Sequence, residues 1–60
     1  MLYDGLRRLG VLMVTVFGNL QVRAVFSLHG VQYIKLTRMT AQRLGSDSWF
    51  YFGLDERVIK

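Results

Sequence analysis

From Phe17 to Val58, apolar residues recur at a period near two, with glycine or short polar clusters between the runs. That is the pattern of a small antiparallel β domain in which each strand buries one face. Val11 to Phe17 is rich in β-branched residues and predicts a first strand, ended by Gly18-Asn19. Leu20, Val22, Ala24, Phe26 and Leu28 then fall on one side of a continuous second strand, which makes that side core. His29-Gly30 predicts a two-residue hairpin turn, with glycine supplying a positive φ.

Val31 to Met39 reads as a third strand, with Ile34 and Leu36 assigned to the core and Tyr33 and Lys35 to a second surface. Thr40 to Leu44 either continues that strand or forms one helical turn. Gly45-Ser46-Asp47-Ser48 is a loop. Trp49 to Phe52 is an aromatic fourth strand, with Phe50 and Phe52 directed inward and Trp49 and Tyr51 outward. Gly53 breaks it, Leu54 to Arg57 turns, and Val58-Ile59 supplies a short edge strand. The predicted fold is all-β: a meander of four to five strands forming an SH3-like barrel or a twisted open sheet. Residues 13–60 form the single domain. Residues 1–12 are a loosely docked N-terminal extension, in which Asp4 caps a short turn carrying Leu6 and Leu9.

Composition narrows this picture. At 52% hydrophobic residues the chain is too apolar to be disordered. At 60 residues it is one domain with a small core. Cysteine is absent, which excludes disulfides and thiolate metal sites. The seven-residue apolar run from Val11 to Phe17 is far short of the roughly 20 residues of a membrane span. Arg7-Arg8 ahead of it and Val22-Arg23-Ala24 behind it resemble parts of a signal peptide. Asp4 and the loss of domain on cleavage argue against one and for an intracellular protein. The net charge of +4 favours a polyanion or an acidic protein surface as partner, although the basic residues are scattered along the chain.

No catalytic constellation emerges. The single histidine, His29, has no cysteine or second histidine with which to hold zinc. Ser27 or Ser46 with His29 and Asp47 would make a nucleophilic site only if the fold gathered them. Asp55 and Glu56 read as turn carboxylates, and neither Gly18-Asn19 nor the 45–48 loop has the glycine spacing of a phosphate loop. No cofactor is called for. What the core assignment leaves over is an aromatic and basic face of Tyr33, Lys35, Arg38, Trp49 and Tyr51. Such a face stacks nucleic-acid bases beside phosphate contacts, supplies hot spots for a protein partner, or is covered by the N-terminal segment or a second copy. An unpaired apolar sheet edge also invites a homodimer.

From about Met13 onward the spacing resembles a group of short proteins encoded by tailed bacteriophages. The matching positions are Phe17, Leu20 and Val22, then Phe26, Gly30, Tyr33 and Lys35, then Ala41, Phe50 and Phe52, and finally Asp55, Glu56 and Val58. In that group a glycine is usual where this chain has Arg23-Ala24, and the departure favours a continuous strand here. Such proteins commonly begin near the position of Met13, which would make residues 1–12 an extension. The resemblance implies a shared β fold and a non-enzymatic module in the host cytoplasm. That module would bind a host protein and modulate transcription, replication or defence machinery. A small nucleic-acid-binding barrel and a structural assembly part are the alternatives.

Overall fold

The computed structural model describes residues 13–60 as an all-β unit, so the expected extension at residues 1–12 lies outside the described residues. Six strands follow one another: β1 (Val14–Val16), β2 (Val25–Leu28), β3 (Val31–Thr37), β4 (Thr40–Arg43), β5 (Trp49–Tyr51) and β6 (Arg57–Ile59). They form one antiparallel sheet in the order β1-β6-β2-β3-β4-β5. The sheet is open rather than a closed barrel, and has one more strand than the upper expectation of five. Val58-Ile59 is not an edge: β6 lies between β1 and β2 and buries Val58.

Two turns interrupt the predicted strands. The predicted continuous strand from Leu20 to Leu28 is broken before Val25. Ala24 N–H donates to Gln21 C=O (3.0 Å), closing a turn in which Arg23 has φ 80°. That is the third position of a type II turn, which glycine normally occupies. Glycine is absent at this position, but the turn is made all the same, so the strand is not continuous here and Val22 is displaced from the core to 52% exposure. A non-glycine residue in this left-handed region costs about 1–2 kcal/mol. Arg23→Gly is therefore expected to stabilise the fold by about 0.5–1 kcal/mol, after the extra unfolded-state freedom of glycine is set against the strain. Chemical denaturation measures it, and a lower midpoint would show that the turn is unstrained.

The second unpredicted turn is at Arg38-Met39, which joins β3 to β4 although it contains no glycine, asparagine or proline. Thr37 pairs with Thr40, their hydroxyl groups are 2.6 Å apart, and Leu36 is left as a bulge residue between the Lys35–Ala41 and Thr37–Thr40 pairs. A hairpin turn with negative φ splays its strands, and a bulge restores the twist.

The core is small and aromatic. Phe17, Leu20, Phe26, Ala41, Phe52 and Val58 are buried, with Ala24, Leu28 and Tyr33 packed against them. Phe17 stacks on Phe52 at 4.8 Å between centroids and meets Phe26 edge-on at 5.5 Å. Phe17 opens a one-turn 3-10 helix (Phe17–Asn19) that docks on the turn between β5 and β6. Gly18 N–H donates to Leu54 C=O at 2.8 Å, and a Cβ at position 18 would lie 2.9 Å from that same oxygen. Only glycine permits this approach.

Candidate functional site

The hairpin at His29-Gly30 determines which side chains reach the surface. Both residues have positive φ (51° and 78°), as a two-residue type I′ turn requires. A two-residue loop pairs Leu28 with Val31, and hence Phe26 with Tyr33. Directly paired residues share a face, so a core Phe26 commits Tyr33 to the core and Lys35 after it. The assignment of Ile34 and Leu36 to the core is thus inverted: Ile34 is half-buried on the outer face and Leu36 is exposed.

Tyr33 and Lys35 are accordingly not part of an exposed contact face. Tyr33 stacks on Phe26 at 5.4 Å and meets Phe52 edge-on at 5.3 Å. Lys35 is 3% exposed. Its Nζ donates to Phe17 C=O (2.9 Å) and Leu20 C=O (2.7 Å) and sits 4.4 Å from the centre of the Phe17 ring. The amine closes the 3-10 turn from inside, so its charge is spent on backbone carbonyls rather than offered to a ligand.

Trp49 and Tyr51 lie together on the outer face, 53% and 76% exposed, with ring centroids 5.3 Å apart in an edge-to-face arrangement. Register extends this pair across the sheet. Val25 pairs with Ile34, Ile34 with Gln42 and Gln42 with Trp49, while Thr40 pairs with Tyr51. One continuous row therefore runs from an exposed Val25 to Trp49. Gln42 Nε2 donates to Ser46 C=O (2.6 Å) and pins the β4–β5 loop beside it. Arg38 and Met39, both exposed, cap one end of this face at the β3–β4 turn. Phe50, expected inside, points to the inner face near Tyr33 but remains 45% exposed because β5 is an edge strand. Val25, Ile34 and Gln42 are the residues that residue-by-residue reading missed. The hairpin register is the signal that finds them.

The remaining candidates do not converge on a reaction. His29 is exposed in its turn, and Asp47 is exposed in the β4–β5 loop. Among the described residues no group of three or more His, Asp and Glu side chains could hold a metal ion. A shallow apolar depression of about 250 Å³ opens between Val14, Leu28, His29, Arg57, Val58 and Ile59. That is below the roughly 300–1,000 Å³ of pockets that enclose small ligands. Among the described residues no helix is long and apolar enough to cross a membrane. No protein-family model, curated protein or solved structure matches the chain.

Proposed function

We propose that this chain is a non-enzymatic protein-interaction module of phage type, which engages a host protein through its outer sheet face. The observation that carries the reading is the exposed Trp49–Tyr51 pair, held in register with Ile34 and Val25 on a face the core does not use. Tryptophan and tyrosine on a rigid strand bury large areas at little entropic cost, which is why they dominate interface energetics. The burial of Lys35 removes one cation from this face, which favours a protein over a nucleic acid, since base stacking alone leaves the phosphates unmet. Arg38 remains at its end, suited to an acidic side chain at the rim of a partner. Action in a host cytoplasm belongs to the same proposal.

Affinity purification from infected cells, with and without nuclease, tests the class of partner. A nuclease-resistant protein is expected, and loss of every partner on nuclease treatment would sink the protein reading. With the captured partner, Trp49→Ala and Tyr51→Ala are each expected to weaken binding about tenfold while leaving the thermal unfolding midpoint close to wild type. If either substitution unfolds the domain, the ring is scaffold and the face is wrong.

A further inference from the structure

We propose that β5 is a self-pairing edge through which two copies of this chain form a dimer with one continuous twelve-stranded sheet. The inference rests on the free backbone edge of β5 and leaves the outer sheet face uncovered. Backbone directions along β5 follow from its flanking bonds. Ser48 C=O accepts from Arg43 N–H (3.0 Å) and Phe52 N–H donates to Met39 C=O (2.8 Å), so both residues turn their polar backbone groups toward β4. Alternation along a strand places Phe50 with them and directs the N–H and C=O of Trp49 and Tyr51 to the opposite edge. That edge has no neighbouring strand among the described residues.

Natural edges of this kind carry lysine, proline or a bulge to prevent pairing. Ser48 to Gly53 has none of these and no charged residue. The segment is also self-complementary. With a two-fold axis at Phe50, Trp49 of one copy and Tyr51 of the other exchange both backbone hydrogen bonds, and the symmetry repeats the exchange, giving four bonds. Asp47 then faces Gly53 of the second copy, so no like charges oppose one another. Phe50 meets its symmetry mate as a close, non-hydrogen-bonded pair on the inner face, which covers a ring that one copy alone leaves 45% exposed. On the outer face, Trp49 and Tyr51 meet their counterparts as four adjoining rings. An unrelated extended peptide would satisfy the backbone but not this ring register, so the second copy is the occupant the edge fits.

Sedimentation equilibrium on the whole chain is expected to give a concentration-dependent species of twice the 7.0 kDa monomer mass. Tyr51→Pro removes an edge-facing N–H, which an edge strand tolerates, together with one of the rings that adjoin across the axis, and is expected to weaken dimerisation at least about 30-fold with an unchanged far-UV spectrum. Phe50→Cys is expected to cross-link spontaneously under mild oxidation. Across the axis the two Cα atoms would stand roughly 4.5–5.5 Å apart, within disulfide range, and the chain has no other cysteine. Val14→Cys on β1 is the control that should stay reduced. A wild-type chain that remains at 7.0 kDa up to about 1 mM overturns the proposal, including the case in which the edge captures foreign peptides instead. So does a dimer in which Phe50→Cys fails to cross-link. Should Tyr51→Pro fail to fold, the Phe50→Cys cross-link decides alone.

Discussion

Lys35→Met is expected to destabilise this domain by about 2–4 kcal/mol. The lysine is 3% exposed, and its amine is the donor that reaches two inward-facing carbonyls, Phe17 C=O at 2.9 Å and Leu20 C=O at 2.7 Å. Phe17 C=O keeps a second donor in Leu20 N–H (3.1 Å), so the sharper loss falls on Leu20 C=O. An unmet buried carbonyl costs about 1–3 kcal/mol, and loss of the contact with the Phe17 ring adds about 0.5–2 kcal/mol. Methionine retains the length of the stem and relieves the cost of burying an ammonium, which keeps the total from being larger. A chain of 60 residues has only about 3–9 kcal/mol of stability in all, so the loss is a large share of the total. Urea denaturation followed by circular dichroism measures the effect, with Lys60→Met, fully on the surface side of the fold, expected to stay within about 0.5 kcal/mol of wild type. An unchanged unfolding midpoint for Lys35→Met would mean that the cost of burying the ammonium cancels its two hydrogen bonds and its ring contact.

That lysine also marks the limit of what the chain discloses before it is folded. Strand alternation is legible at Phe26 and Phe52, and the loops at His29-Gly30 and Gly45 to Ser48 announce themselves through turn residues. Face assignment on β3 is not legible from β3 alone, because Val31 to Met39 has apolar residues on both faces and a lysine on the one that turns inward. Polarity argues for leaving Lys35 outside. The two-residue hairpin overrides that argument, since pairing Phe26 with Tyr33 takes Lys35 to the interior, where the 3-10 turn supplies acceptors. The turns at Arg23 and at Arg38-Met39 stay hidden for a different reason. One uses a positive φ that arginine rarely adopts, and the other a turn without special residues whose twist a bulge at Leu36 repairs. The interior place of β6 is likewise a long-range matter, since Ser27 pairs with Ile59 across half the chain. Of the candidate face, Trp49 and Tyr51 were readable as an aromatic strand exceeding what a small core can absorb. Ile34 and Val25 join them only through register.

Phe17→Ala carries the largest expected loss, about 3–5 kcal/mol, from a third to all of the domain's stability. The ring is fully buried, stacks on Phe52, meets Phe26 edge-on and receives the Lys35 amine, so no neighbour can collapse into the vacancy without giving up another of these contacts. Phe17→Leu is the milder variant and allows a thermodynamic cycle with Lys35→Met. Leucine keeps the backbone carbonyl that the amine bonds to but removes the π face, so the cycle isolates the ring contact from the hydrogen bonds. The double variant is expected to lose about 0.5–2 kcal/mol less than the two singles added together. Strict additivity would mean that the amine is held by the carbonyls alone. A positive coupling would tie the lysine's charge to the aromatic core, with the Phe17 ring as well as the two carbonyls holding the amine inside the sheet.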